Sequence, residues 1–287
     1  MTAPQGFYEG LGASVCAAIL GRDPHKSPYT LWSEFVDPSQ RPNLDDNEAV
    51  EAGVALEPAI AQWAAKRLGV TIDYNPGHLL KHPTIPFMQC HPDALVVGDG
   101  SGLEVKNRGL QTMRLYSSLD EFVDDSDRAQ ETEVLQCHAS MAVKKDAPHW
   151  HLGVAVGGQK LLTFTIQRDE SIIAMIEAKY AEMWGYIQRG EPPPPINVSD
   201  CNALWPRQAP GSWLEATPEL ADVVEQRRIL KAKIKEAKDQ ADFLEFQLKA
   251  AMKDAEELRF GGKKLLTWKH QHREEYTVKA TDMRVMR

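Results

Sequence analysis

No apolar run in this 287-residue sequence approaches the ~20 residues that a bilayer-spanning helix needs, and the N-terminus lacks the charged-then-apolar order of a signal peptide. The expectation is a soluble, intracellular protein. Cysteine is scarce: Cys16, Cys90, Cys137 and Cys201 are scattered without a C-x-x-C pair, which argues against a disulfide framework and against a zinc site. Positive charge is short as well, with 33 Lys and Arg against 41 Asp and Glu and a net charge of −8. That balance is the wrong sign for a surface that neutralises phosphates. The charge is uneven, however. Asp120, Glu121, Asp124, Asp125, Asp127, Glu131 and Glu133 crowd one segment, and the tail after Leu258 is basic. Net charge therefore excludes little. His78, His82, His138, His149 and His151 show no metal-ligand spacing such as i, i+4 on a helix with a glutamate.

What is present is concentrated between Cys90 and Gly109. The apolar run Ala94 to Val97 meets a glycine-rich turn, Gly98 to Gly102, and a second short run around Leu103 and Val105. This is a β-hairpin signature with a loop of about five residues. Alternate strand residues share a face, so Glu104 and Lys106 point the same way. A carboxylate there can ligate a hard cation such as Mg²⁺, and the amine can orient a water or neutralise phosphate charge. Asp93 is the second candidate carboxylate. Simple pairing across the loop sets it opposite Asn107, on the wrong face, and a bulge or a one-residue register shift would bring it round. The competing reading is a solvated hairpin edge, where Lys is common.

Asp93 followed by Glu104-Val105-Lys106 resembles the PD-(D/E)xK nuclease motif, and the first 195 residues resemble its lambda-type phage exonuclease branch, the YqaJ-like viral recombinases. The further blocks that carry this are Gly12-Ala13-Ser14 running into Ala17-Ala18-Ile19-Leu20-Gly21, and Asp46-Asn47-Glu48-Ala49 running into Gly53 and Leu56-Glu57-Pro58. Gln136 with Met141-Ala142-Val143 follows, then Arg168-Asp169 with Met183-Trp184 and Pro192 to Pro195. The scattered cysteines set the chain apart from the iron–sulfur nucleases of the same superfamily. The resemblance implies that Asp93 and Glu104, with the Val105 carbonyl, hold Mg²⁺ (Mn²⁺ substituting), and that Lys106 positions or activates the water. Glu57 would complete the acidic cluster, and Gln136 would orient phosphate and water. Ser14 belongs to the family's 5′-phosphate pocket, although Phe7 stands where an Arg is usual, and Arg22 or Lys26 is left to substitute. His91 stands in place of the usual Ser and Ala94 in place of the usual Gly. His91 and Arg108 are further candidate phosphate contacts. Without the resemblance, Ser14 reads equally as a helix cap, His91 as a space-filler, and Glu57 and Gln136 as surface residues.

Taken in order, Ser14–Leu20 and Leu31–Val36 read as short helices, and 46–68 reads as a longer one with Val50, Gly53, Leu56, Ile60 and Ala64 on one face. Pro58 either kinks it or starts a new segment. Residues 74–89 are strand and loop. Leu110 to Arg128 reads as a helix and mobile loop over the site, and Glu131–Val143 as a helix. Trp150–Val156 and Lys160–Gln167 form a hairpin at Gly157-Gly158. Asp169 caps a helix to Arg189, ended by Gly190. A Pro-rich linker spans 196–216. Thr217-Pro218 then starts a helix whose apolar seam, Leu220 to Leu258, covers roughly 40 residues and about 60 Å, and Gly261-Gly262 stops it. Such a seam implies a partner helix. The tail's basic residues, Arg259, Lys263, Lys264, Lys269, Arg273, Lys279, Arg284 and Arg287, interleave with Phe260, Trp268 and Tyr276. They suit nucleic acid or, equally, a small β-hairpin on the helix end.

The expected fold class is α/β: a PD-(D/E)xK restriction-endonuclease-like core over 1–195, with a mixed central sheet flanked by helices, and a long-helix extension over 217–287. The resemblance implies a Mg²⁺-dependent exonuclease that acts on double-stranded DNA ends. It would resect 5′ to 3′ and leave 3′ single strands for phage-type recombination in a bacterial host. A homotrimer and a single-strand annealing protein as partner are implied with it. The alternatives are an endonuclease or single-strand exonuclease on the same core, or a non-catalytic DNA-binding or scaffold protein assembled through the long helix.

Overall fold

The computed structural model describes residues 7–44, 47–75, 77–112 and 128–272. The expected loop over the site falls mainly on 113–127, and Arg273, Tyr276, Lys279, Arg284 and Arg287 follow 272, so both lie outside the described residues. Contacts divide the chain into two compact units, Met1–Leu204 and Trp205–Arg287. The division falls after Leu204, within the 196–216 stretch read as a linker.

The first unit begins with β1 (Leu11–Gly12), a 3-10 turn (Ala13–Val15), α1 (Cys16–Ile19) and α2 (Pro28–Val36). Ser27 caps α2 by accepting from Thr30 N, with Pro28 at the first helical position. Next comes α3 (Glu48–Leu68), capped by Asn47 and ended at Gly69 in the left-handed region. Pro58 lies inside this helix, which runs as one segment from end to end. Five short elements follow: β2 (Ile72–Tyr74), β3 (Leu80–Lys81), β4 (Met88–Cys90), β5 (Ala94–Val96) and β6 (Gly102–Arg108). The unit closes with α4 (Arg128–Val143), β7 (His149–Val156), β8 (Lys160–Gln167), α5 (Glu170–Arg189) and α6 (Val198–Leu204).

The main sheet has the order β2-β5-β6-β7-β8, with β6 and β7 parallel and the other neighbours antiparallel. Parallel neighbours need a crossover, and α4 supplies it. A smaller sheet pairs β1 in parallel with β4, and β4 antiparallel with β3. The two faces of the main sheet are covered differently. On one, Ile60, Ala61 and Ala64 of α3 meet Leu103, Val105, Ala155 and Leu161. On the other, Val134, Leu135, Cys137, Ala139, Met141 and Ala142 of α4 meet Trp150, Leu152, Val154 and Val156, with α1 and α5 behind. This is the expected mixed sheet flanked by helices. α3 lies so close that a Cβ added at Gly153 would stand 2.8 Å from the Ala64 Cβ.

The expected apolar face of α3 is buried only from Ile60 onward; Val50 and Gly53 are half-buried and Leu56 is exposed. Periodicity marks a face, but only the extent of the sheet decides how much of it is covered. α6 is tied into this unit, since Asp200 is buried and accepts from Ser27 Oγ at 2.6 Å and from Ile196 N at 3.0 Å.

The second unit holds α7 (Pro218–Met252) and a hairpin, β9 (Glu257–Phe260) with β10 (Lys263–Thr267). The helix is 35 residues long and ends before the expected Leu258. Gly261 and Gly262, both at positive φ (57° and 80°), turn the hairpin and do not stop the helix. Two consecutive left-handed residues suit a two-residue hairpin turn, and the flanking alternation favours strand. Most of the seam on α7, including Leu220, Val223, Leu230, Ile234 and Leu244, is exposed. Among the described residues no helix is long and apolar enough to cross a membrane.

Candidate active site

The site follows from the register of the β5–β6 hairpin. Ala94 pairs with Leu103 and Leu95 with Gly102, which sets Asp93 opposite Glu104 and differs by three residues from the simple pairing with Asn107. The ladder closes more tightly than a five-residue loop predicts, with Val96 N donating to Ser101 O at 2.9 Å. An odd shift exchanges faces, so the two carboxylates come to one side. Asp93 Oδ2 accepts from Val105 N at 2.6 Å. The N–H and C=O of one strand residue point to the same side, so the Val105 carbonyl faces the same hairpin edge.

Glu104 is 3 % exposed and pairs with Lys106 Nζ, which also donates to Gln136 Oε1 at 3.1 Å. One step along the strand, Arg108 reaches Glu133 Oε1 from Nε (3.0 Å) and Nη2 (2.6 Å). Lys106 and Arg108 are i, i+2 on β6, and Gln136 and Glu133 are i, i−3 on α4, so the strand period meets the helix period across the gap. Arg108 is thus held by an acid, with its side chain one-third exposed. Glu57 lies on the part of α3 that extends past the covered face. Its Oε1 accepts from the Tyr74 hydroxyl at 3.1 Å.

Burial and the nearby Glu104 charge push the Asp93 carboxyl well above the usual carboxylate range, against the pull of Lys106. Burial raises Glu57 too, with Glu104 adding to it and the Tyr74 hydrogen bond opposing. Burial and the Glu57 charge lift the Tyr74 hydroxyl to about 12. Burial alone would lower the Lys106 ammonium, but Glu104 and Asp93 outweigh it and raise it above the ordinary lysine value. The cluster is short of positive charge, and its free donors are carboxylate and carbonyl oxygens. That set fits a hard divalent cation such as Mg²⁺.

Ser14 and His91, the other phosphate-binding candidates beside Arg108, follow strands of the smaller sheet. Gly12 pairs with Gln89 in parallel, so both chains leave this pair in the same direction, one into Ala13-Ser14 and the other through Cys90 into His91. Ser14 is exposed although its neighbours Ala13 and Val15–Ile19 are buried. His91 is half-buried, and burial holds its imidazole below the usual range. Arg168, from the last block of the resemblance, donates to Met141 O at 2.7 Å and so ties the end of α4 to β8. Cys90 and Cys137 are buried, and burial raises both thiols, Cys90 to about 12.

Three residues that sequence reading passed over come together elsewhere. One ligand atom each from Asp99, His149 and His151 lies within 4.8 Å of the other two. His149 and His151 lie on a strand, where the i, i+4 helix spacing does not apply. At i, i+2 on β7 they share a face, which H-x-H in a strand segment would have shown.

A mixed sheet with an acid entering one hairpin strand, Glu-x-Lys on the next and flanking helices defines a PD-(D/E)xK-type core. Residues 8–147, just under half of the chain, match the family model described as the YqaJ-like viral recombinase domain, and this part of the chain is similar to that family. An uncharacterized protein, YqaJ, of Bacillus subtilis (strain 168) is 27 % identical over 257 residues, spanning 86 % of this chain and 76 % of that protein. Among solved structures, the alkaline exonuclease LHK-Exo from Laribacter hongkongensis is 18 % identical, with a TM-score of 0.49 over 63 % of this chain and 89 % of its own. A phage-related exonuclease from Haemophilus somnus 129PT is 14 % identical, also with a TM-score of 0.49, over 63 % and 94 %.

Proposed function

We propose that this protein is a metal-dependent DNA exonuclease of the phage-recombination type, resecting linear double-stranded DNA from the 5′ end to leave 3′ single-stranded tails. The observation that carries the reading is the hairpin register, in which Asp93 faces Glu104 and Val105 N donates to Asp93 at 2.6 Å. Asp93 and Glu104, with the Val105 carbonyl and Glu57 beside them, would hold Mg²⁺, with Mn²⁺ as a substitute. The bound cation supplies charge neutralisation at the scissile phosphate and lowers the cost of forming the nucleophile. Lys106 stays an ammonium between Glu104 and Gln136, so it acts as a donor: it orients the attacking water and stabilises charge on the phosphate. The Gln136 amide, fixed through its oxygen by Lys106, keeps its NH₂ for phosphate or water. Ser14, His91 and the exposed edge of Arg108 are the phosphate contacts. They would take a 5′-phosphate, with Arg22 or Lys26, which pair with Glu131 and Glu34, in the place of the missing arginine.

In the same reading the protein works in the cytoplasm of a bacterial host, as a homotrimer, beside a single-strand annealing protein. The test is digestion of end-labelled linear duplex, nicked circles and covalently closed circles with Mg²⁺, Mn²⁺, Ca²⁺ or excess chelator. Linear duplex should shorten from its 5′ ends with Mg²⁺ or Mn²⁺ and persist with Ca²⁺ or chelator. Cutting of closed circles would make it an endonuclease, and digestion in chelator would overturn the metal requirement.

A further inference from the structure

We propose that Asp99, His149 and His151 form a second metal site, selective for Zn²⁺, that pins the β5–β6 turn to the start of β7. His149 Nε2 and His151 Nε2 are 3.2 Å apart, and His149 Nε2 is 3.6 Å from Asp99 Oδ2. Ligands about 2.0–2.1 Å from a tetrahedral Zn²⁺ are separated by about 3.3 Å, so these donors stand at the edges of such a site. Each is also held from behind. His151 Nδ1 meets Thr165 Oγ1 at 3.0 Å, which turns Nε2 toward the cluster. Asp99 Oδ1 accepts from Ser101 N at 2.8 Å and from Ser101 Oγ at 2.6 Å, which leaves Oδ2 for the ion.

The site is distinct from the nuclease centre. His151 is in register with Leu103, whose side chain lies on the α3 face, while Glu104 and Lys106 look toward α4. Two imidazoles and one carboxylate favour Zn²⁺, whereas the all-oxygen set at Asp93 and Glu104 favours Mg²⁺. The side chains of His149 and Asp99 are 21 % and 41 % exposed, so an entering ion has a path and a water can complete the tetrahedron. Such an ion would clamp the far end of the hairpin that carries Asp93 and Glu104.

The test is titration of the metal-free full-length chain with Co²⁺, whose tetrahedral complexes absorb strongly in the visible and whose six-coordinate oxygen complexes do not. The expected result is intense visible bands that saturate at a single equivalent and are displaced by Zn²⁺, together with a Zn²⁺-dependent rise in Tm. His149→Gln and Asp99→Asn, both at partly exposed positions, should each weaken binding by at least ~10-fold. Asp93→Asn should leave the bands intact. The proposal is overturned if the wild type gives no intense bands, so that the imidazoles merely hydrogen-bond to each other. It is equally overturned if the bands survive both site variants, or if they vanish in Asp93→Asn.

Discussion

At Lys106 two demands would meet under the proposed function, because the ammonium would serve the reaction and also neutralises a buried acid. Glu104 is 3 % exposed, so removing its partner leaves an uncompensated carboxylate. Lys106→Met should abolish cleavage, by ~10²–10³-fold or more. The same change should cost roughly 2 kcal/mol in denaturant unfolding, less than a fully buried pair because Lys106 keeps some solvent contact. Adding Glu104→Gln should recover much of that stability and none of the activity. Asp93 behaves in the opposite way. Its folded-state pKa is raised above the unfolded value, so the folded metal-free protein binds the proton more tightly, and stability falls as pH rises through that window. Asp93→Asn keeps an acceptor for Val105 N and removes the charge. In chelator the variant should melt above the wild type at neutral pH, and the gain should fade as the pH falls toward the ordinary aspartate value of 3.8. Melting curves across that range check the sign, and the variant should be inactive at every pH.

Among the elements, β6 and α3 differ in how far the sequence reveals them. The alternation Glu104-Val105-Lys106 is visible as a strand face, and the structure keeps it. The partner's register is not visible, because glycine-rich turns close with several loop lengths and each odd change of length exchanges faces. The α3 seam was readable as a stripe, but the sheet beneath it ends near Ile60 and leaves Leu56 exposed. His149 and His151 stand at i, i+2 on β7, a strand spacing that a helix rule of i, i+4 does not register. On α7 the apolar seam carries the expected helix past its end at Met252 to Leu258, into the first strand of the small β-hairpin that the tail equally suits, Glu257–Phe260 with Lys263–Thr267 around Gly261-Gly262. Packing density makes a separate prediction. A Cβ at Gly153 meets the Ala64 Cβ at 2.8 Å, and neither belongs to a flexible side chain. Gly153→Ala should therefore push α3 from the sheet and lower unfolding stability by about 1–3 kcal/mol.

For the molecule as a whole, the division after Leu204 sets where a cut should be harmless. A 1–204 fragment should fold and, if the proposed function holds, still digest linear duplex in Mg²⁺. A 1–195 fragment loses the acceptor that Asp200 offers Ser27 at 2.6 Å, and should be less stable by about 1–2 kcal/mol. Urea unfolding of the two fragments measures the difference. Inactivity of a folded 1–204 fragment on every DNA would place the second unit within the catalytic machinery.

The turn from Val97 to Ser101 has a consequence for heredity. Surface turns are where lineages gain and lose codons at little cost. This turn sets whether Asp93 looks toward Glu104 or away from it, and it carries Asp99 at its tip. A one-codon deletion here that shifts the strand would remove the acid from the site as surely as a missense change at Asp93. Its length should therefore be as invariant among active relatives as the catalytic residues themselves.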